Sequence, residues 1–268
     1  MGSVMRGVIR LALWSGWTLI MVPLQAVALA LRSGLAERIP QLYHRWSCRI
    51  IGLEVLPLGT ISDAKPTLFV SNHISYLDIT VLASLARLSF IAKKEVATWP
   101  LFGMLAKLQR SVFVDRRPSR TADHRDEIGD RLDAGDRLVL FAEGTSSDGN
   151  RVLPFKSALF SVAGRAAGGA PLTVQPVSIA YVKLDGLPLG REWRAHYAWY
   201  GDMDLLSHFW NVFTLGRVTV EVRFHPPVPN GEIGNRKALS DYCHRQVALG
   251  VTEAISGSRP SSITASAG

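Results

Sequence analysis

The sequence predicts an α/β layered domain with a mostly parallel central sheet flanked by helices, plus an N-terminal membrane-embedded helix. Three observations lead there. From about residue 51 onward, short apolar β-branched runs alternate with helix-period segments, the pattern of strand–helix–strand crossovers. A 21-residue stretch without a charge, Leu11 to Leu31, stands near the N-terminus. The 268 residues, 47% hydrophobic and 19% charged, are enough to bury a sizeable core and too apolar for a disordered chain. Thirty Lys and Arg against 22 Asp and Glu give a net charge of +8, which points to an anionic partner, either nucleic acid or a membrane face. Cys48 and Cys243 lie in no C-x-x-C or Cys/His cluster, so neither a disulfide framework nor a metal site is expected, and a reducing compartment is permitted.

The N-terminal stretch decides for the membrane. As a helix it spans about 30 Å, the hydrocarbon thickness of a bilayer. Arg6, Arg10 and Arg32 bracket it, Pro23 predicts a kink, and Trp14 and Trp17 suit an interface near its start. A cleaved signal peptide is the competing reading, with Ala26-Val27-Ala28 as its small-residue pattern, but the apolar run is long for that purpose. Leu35–Cys48 follows as an amphipathic helix with Leu42, Trp46 and Ile50 on one side and Arg38, Arg45 and Arg49 elsewhere. Strands are expected at Thr67–Ser71, Ser89–Ala92, Ser111–Val114, Arg137–Phe141, Leu172–Tyr181 and Arg217–Phe224. Helices are expected at Asp78–Ala86, Thr121–Leu132, Lys156–Ala167 and Arg236–Ile255. Arg191–Phe213 mixes Trp193, Trp199, Phe209, Trp210 and Phe213 with basic residues, a pattern shared by core packing and by a shallow membrane-facing patch. The expected organisation is a membrane anchor over residues 1–34, one domain over 35–255 and a disordered polar tail over 256–268.

Two blocks carry residues capable of chemistry. In the first, an apolar strand delivers Asn72 and His73 to its C-terminal end, and Asp78 follows. That edge is where open α/β sheets place ligands. Histidine accepts a proton near neutral pH, and a carboxylate on its other nitrogen fixes the tautomer. Five extended residues would hold the two side chains about 16 Å apart. A helix would rotate them about 140° from each other. Contact therefore needs a turn, for which Asn72 and Ser75 are suitable. In the second block, the strand ending at Phe141 runs into Ala142-Glu143-Gly144-Thr145-Ser146-Ser147, which offers a carboxylate, hydroxyls and a glycine for close backbone approach. Lys93, Lys94 and Glu95 read as a solvated turn, and Asp123, His124, Asp126 and Glu127 as a solvated helix face.

Together and in this order, the blocks resemble the glycerolipid acyltransferase family typified by 1-acyl-glycerol-3-phosphate acyltransferases. The family's N-H-x-x-x-x-D is matched by Asn72, His73 and Asp78, its F-[IV]-D-R by Phe113-Val114-Asp115-Arg116, and its F-P-E-G-T-R-S in part by Phe141, Glu143, Gly144, Thr145 and Ser147. Its apolar strand with a central proline is matched by Val174-Gln175-Pro176-Val177. The resemblance covers roughly residues 35–225. It implies direct acyl transfer: His73, oriented by Asp78, deprotonates the acceptor hydroxyl as it attacks an acyl thioester on acyl carrier protein or coenzyme A. No bound cofactor or metal is implied, and no nucleic acid.

The departures bear on the acceptor. Ser146 stands where the family's phosphate-associated arginine is expected, and Ala142 where its proline is. The run Glu143 to Lys156, with its D-G-N-R segment, looks more like the lyso-ornithine lipid O-acyltransferases, whose acceptor head group is an amino acid without phosphate. On that resemblance the acceptor site comprises Asn72, Arg116, Glu143, Gly144, Thr145, Ser146, Asp148, Arg151 and Lys156, with Asp148 facing an ammonium and Arg151 a carboxylate. The expected protein is an O-acyltransferase at the cytoplasmic face of a bacterial inner membrane. Phosphatidate synthesis from lysophosphatidate is the alternative within the class, and a non-catalytic basic membrane adaptor the alternative outside it.

Overall fold

The computed structural model describes residues 2–114, 121–164 and 172–258. Two helices come first, α1 (Val4–Ala30) and α2 (Leu35–Ile51). The sheet and its crossovers follow as β1 (Leu53–Leu58), β2 (Thr67–Ser71), α3 (Leu77–Leu85), β3 (Ser89–Lys93), α4 (Phe102–Leu108), β4 (Val112–Val114), α5 (Thr121–Asp133) and β5 (Arg137–Phe141). Then come β6 (Thr173–Leu184), β7 (Leu187–Pro188), α6 (Arg191–Arg194), α7 (Leu205–Thr214), β8 (Val218–Phe224), β9 (Val228–Pro229) and α8 (Arg236–Ser256). The strand order is β1-β8-β6-β2-β5-β3-β4, with β7 and β9 as short antiparallel partners of β6. From β6 to β4 every neighbouring pair is parallel, and β8 joins β6 antiparallel.

Side chains alternate across this sheet, and both faces are covered. Phe69, Val139, Val177 and Ile179 pack with α3, Trp14 of α1 and Phe213 of α7 on one face. Leu68, Val70, Leu138, Leu140 and Val174 pack with Ile128, Leu132, Phe160 and Leu239 on the other. β1 has no counterpart among the expected strands. It lies at the end of the sheet path, where Pro57 is tolerated because an edge strand need not donate on both sides. Residues 157–164 form a 3-10 segment rather than the expected α-helix, and residues 165–167 lie outside the described residues. The tail expected from residue 256 begins with the last helical residue, Ser256, and Gly257 closes the helix in the left-handed region at φ 71°. Residues 259–268 are not among those described.

The first helix is long and apolar enough to cross a membrane by length and composition, with a mean hydropathy of 1.5 over its best window. One side of it is built into the domain. Trp17 Nε1 donates to Tyr43 O at 3.2 Å, Gln25 Nε2 to Leu108 O at 2.8 Å, and Arg10 to Leu215 O at 2.8 Å. The Trp14 ring meets Phe209 and Phe213 edge-on at 5.3 and 6.0 Å. Its other side carries Val4, Val8, Ile9, Leu13, Leu19, Ile20, Leu24 and Val27, all more than half exposed.

The apolar side of the amphipathic α2 is only partly covered, with Ile50 packed against the core. Ala36, Pro40, His44, Cys48 and Ile51 are buried, whereas Leu42 and Trp46 stay nearly half exposed. The reason is polar: Arg45 Nε donates to Ser84 O at 2.9 Å, and His44 Nε2 meets Gln109 Oε1 at 2.9 Å, so the helix docks through hydrogen bonds and small residues. Arg191–Phe213 is part core and part surface. Tyr197 and Phe213 are core residues, whereas Trp193 is 43% exposed and Leu206 73%.

Candidate active site

Parallel pairing of β2 with β5, in the register Ser71↔Phe141, brings the two sequence blocks to adjacent strand ends. Beyond the sheet the contact continues: Ala142 N donates to Ser71 O at 3.1 Å and Ser147 N to His73 O at 2.9 Å. After Ser71 the chain turns sharply into α3. The turn closes on Asp78, whose Oδ2 accepts from Ile74 N at 2.6 Å, Ser75 N at 2.9 Å and His73 Nδ1 at 2.9 Å. Its Oδ1 accepts from the Tyr181 hydroxyl at 3.0 Å. Asp78 is completely buried and His73 partly open. With Nδ1–H donated to the carboxylate, Nε2 is the unprotonated nitrogen, on the opposite side of the ring. The imidazole lies flat on Phe141, ring centroids 4.0 Å apart.

His73 lines a cavity of about 530 Å³. Its walls are largely apolar: Trp14, Met21 and Val22 of α1, Ile39 and Tyr43 of α2, Phe102 and Leu105 of α4, and Phe209 of α7. Gly144, Thr145 and Ser146 border it beside His73, and Lys93, Glu95 and the segment Trp199–Asp202 complete its rim. Gln25, His44 and Gln109 also line it. Burial lowers the His44 pKa to about 4, so this ring is neutral on the cavity wall. Gln109 and Pro40 also border a second cavity of about 480 Å³, a charged cleft at the opposite edge of the sheet with Arg87, Arg110, Arg137, Asp63 and Asp136 in its walls.

The structure brings His73, Asp78, Gly144, Thr145 and Ser146 together and gives other expected site residues different work. Asn72 is buried and clasps β6 through both ends of its amide: Nδ2 donates to Ile179 O at 3.0 Å, and Oδ1 accepts from Ile179 N at 2.9 Å. Glu143 is also buried, and its Oε1 accepts from His73 N at 3.0 Å. Both therefore position the His73 turn: Asn72 engages backbone with both ends of its amide, and Glu143 with Oε1. Gly144 adopts φ 68°, the left-handed region that lets the chain turn between Glu143 and the cavity. Ser146 lines the cavity, but its hydroxyl donates to Trp199 O at 2.5 Å.

Asp148, Arg151 and Lys156 are not among the residues bordering the cavity. Asp148 accepts from Asn150 N at 3.0 Å and Asn150 Nδ2 at 3.1 Å, and Asn150 in turn meets the buried guanidinium of Arg194. Partial burial pushes the Asp148 carboxyl up, but the Asn150 bonds and the charges of Arg151 and Arg191 outweigh it and hold it below its usual value. The expected pairing of Asp148 with an acceptor ammonium and of Arg151 with its carboxylate draws no support from the cavity lining: Asp148 is held by Asn150, and Arg151 is exposed. Arg116 lies outside the described residues.

Two contributors carried no local signal, and a third was expected only as a turn. Tyr181 reaches Asp78 from 103 residues away. Tyr76 lines the same cavity as His73, and its hydroxyl meets His208 Nδ1 at 3.1 Å. Glu95, expected on a solvated turn, does lie in a 3-10 turn (Lys94–Thr98), yet that turn borders the cavity.

Glu143 supplies a pH-dependent element. Burial raises its pKa from 4.5 to about 8, against hydrogen bonds from His73 and Leu153 that lower it, and Oε2 has no partner among the described residues. The folded protein thus holds a proton that the unfolded chain releases near pH 4.5. This stabilisation is complete below about 4.5 and disappears as pH rises through about 8. Glu143→Gln, neutral at every pH, is expected to match wild type in thermal melts in detergent near pH 5 and to exceed it at pH 9. A parallel fall of both proteins would refute the assignment.

The comparisons agree with this geometry. A family model described as "Acyltransferase" matches residues 48–180, which contain both strand ends and the Asp78 turn. Curated relatives include a lyso-ornithine lipid O-acyltransferase of Brucella abortus, 45% identical over 90% of this chain and 91% of its own length, and one of Rhizobium meliloti, 38% identical over 90% and 84%. A 1-acyl-sn-glycerol-3-phosphate acyltransferase of Neisseria gonorrhoeae is 29% identical over 76% of each chain. The crystal structure of a 1-acyl-sn-glycerophosphate acyltransferase from Thermotoga maritima superposes with a TM-score of 0.65 over 96% of this chain and 99% of that one, at 22% identity, and so shares its fold. With a histidine and a carboxylate clasped at the end of a parallel strand, above an apolar cavity, and relatives of this similarity along nearly its whole length, the chain belongs to the acyltransferase family.

Proposed function

We propose that this enzyme transfers a fatty acyl group from an acyl thioester to the free 3-hydroxyl of lyso-ornithine lipid, giving ornithine lipid. The observation that carries the proposal is the His73–Asp78 pair opening onto the apolar cavity. Nε2 of His73 takes the hydroxyl proton as the acceptor oxygen attacks the thioester carbonyl carbon. The new bond is C–O and the broken one C–S, and the proton goes from imidazolium to the departing thiolate. Asp78 keeps the productive tautomer and stabilises the imidazolium. The acyl chain occupies the apolar cavity, whose volume falls in the ordinary range for ligand pockets. Acyl carrier protein and coenzyme A are both chemically competent carriers of the thioester.

The acceptor is favoured by the relatives' names and by Ser146. A dianionic phosphate prefers a bidentate guanidinium, whereas the Ser146 hydroxyl is already engaged by Trp199. Expression in a host that makes lyso-ornithine lipid but lacks its acylation tests the proposal by lipid analysis. Ornithine lipid should accumulate. Brisk turnover of lysophosphatidate, with lyso-ornithine lipid left untouched, would replace the proposal with phosphatidate synthesis.

We place the enzyme on the cytoplasmic face of the inner membrane, with the exposed apolar side of α1 in lipid and Leu42 and Trp46 of α2 alongside. Membrane fractions washed at high ionic strength should retain it and detergent should release it, because hydrocarbon insertion is not screened by salt. Release by salt alone would leave only electrostatic attachment.

A further inference from the structure

Where α1, α2 and α4 wall the catalytic cavity their lining residues are largely apolar, and Gln25, His44 and Gln109 interrupt them. Gln25 is 4% exposed and His44 7%. The three form one group. Gln25 Nε2 donates to Leu108 O at 2.8 Å and to Ala36 O at 2.9 Å. Gln109, the residue after Leu108, meets His44 Nε2 through its Oε1 at 2.9 Å and donates from Nε2 to Leu88 O at 2.8 Å.

These bonds decide which atoms are left over. Both amide hydrogens of Gln25 are engaged, and its Oε1 remains. The Leu88 carbonyl orients the Gln109 amide, so Oε1 accepts, and the neutral His44 ring carries its one proton on Nε2. Nδ1 is then a bare lone pair. Neither Gln25 Oε1 nor His44 Nδ1 has a hydrogen-bond partner among the described residues. Buried acceptors without donors are rare and costly, and a plain hydrocarbon chain does nothing to relieve them.

Strand register places this group away from His73. Gln109 holds the carbonyl of Leu88, the residue before Ser89, which pairs with Leu138, whereas Ser71 pairs with Phe141. Leu88 therefore lies four residues short of the level of Ser71, about 13 Å along the strands. His73 lies beyond Ser71, so an acyl chain with its thioester at His73 meets the polar group with its distal part.

We infer that Gln25 and His44 read a hydroxyl on the acyl chain: the preferred donor is a fatty acyl thioester hydroxylated in its distal half, whose O–H donates to Gln25 Oε1 or His44 Nδ1. The inference rests on the reading that the acyl chain fills this cavity, and it adds the chemistry of that chain. The site is selective in one sense. It supplies acceptors only, so a ketone at the same carbon, similar in size but without a hydrogen to give, gains nothing from it.

The test uses the full chain in mixed micelles with acyl thioesters of one chain length: unsubstituted, hydroxylated at successive positions of the distal half, carrying a ketone at those positions, or hydroxylated beside the carbonyl. Lyso-ornithine lipid and lysophosphatidate serve in parallel as acceptors, so the donor preference is read on whichever turns over. Wild type should favour one distal hydroxylated donor over the unsubstituted one by roughly tenfold in kcat/KM, as expected for one buried hydrogen bond. The ketone and the hydroxyl beside the carbonyl should bring no such gain. In Gln25→Leu/His44→Phe the ratio should fall toward one through loss on the hydroxylated donor, a change that a general loosening of the wall would not produce. Equal wild-type values for the unsubstituted and every hydroxylated donor, or an equal gain from the ketone, overturn the inference without any variant having to fold. So does a double variant that keeps the wild-type ratio. Hydroxyl preference seen on lysophosphatidate, with lyso-ornithine lipid untouched, overturns the acceptor reading alone. Transfer from no donor to either acceptor overturns both.

Discussion

His73→Ala should reduce acyl transfer by about 10²–10⁴-fold, the range attributed to one positioned general base, while the protein stays folded. The expectation of intact folding follows from the bonding of the turn. Asp78 keeps the Ile74 and Ser75 amides and the Tyr181 hydroxyl after the imidazole is removed, and Glu143 and Ser147 contact the backbone of residue 73, not its ring. The ring is partly open to the cavity, so its loss leaves no sealed void in the core. Transfer rates and thermal melts on the same preparations check this. Transfer at a near wild-type rate would remove the general base from the mechanism, and the adaptor alternative would be restored if wild type itself transferred nothing while holding to membranes.

Asp78→Ala should be the more damaging substitution, because it removes stability and activity together. Four donors converge on a carboxylate with no solvent exposure, and three of them, the two amides and the Tyr181 hydroxyl, are buried. Each orphaned buried donor costs about 1–3 kcal/mol, and breaking such a cluster about 3–5 kcal/mol in all. At roughly 2–4 °C per kcal/mol, the melting temperature should drop by about 10 °C. Tyr181→Phe is the mild counterpart, removing one donor and leaving both amides satisfied. A melting temperature for Asp78→Ala within a degree or so of wild type would mean that the turn is held by something other than this carboxylate.

What the sequence made legible and what it hid divide along a physical line. Thr67–Ser71 and Arg137–Phe141 were predictable to the residue, because a strand buried on both faces is a continuous apolar run ending where polar residues begin. The His73–Asp78 contact was inferable too: the spacing admits it only through a turn, and Ser75 stands where a turn residue is needed. Partner choice across the sheet was not. Asn72, Glu143 and Asp148 are all short polar residues in loops at strand ends, equally able to meet a ligand or a backbone. Ile179 captures Asn72, the amide of residue 73 captures Glu143, and Asn150 captures Asp148, and two of these three captures depend on the pairing of distant strands. β1 was missed for another reason: edge strands alternate weakly and tolerate Pro57, so their pattern is diluted. The buried face of α2 is marked less by apolarity than by the hydrogen bonds of His44 and Arg45.

The two cavities share a wall. Gln109 and Pro40 border both the apolar cavity and the charged cleft at the opposite edge of the sheet. The amide of Gln109 is anchored on both sides, to His44 and to the Leu88 carbonyl at 2.8 Å, so it works as a bulkhead more than a floor. On the proposed mechanism the acyl chain lies on one side, with its thioester at His73, so water entering here would reach the thioester along the chain. A leak there would show first as wasted donor, fatty acid set free with no lipid product, before any slowing of the transfer itself.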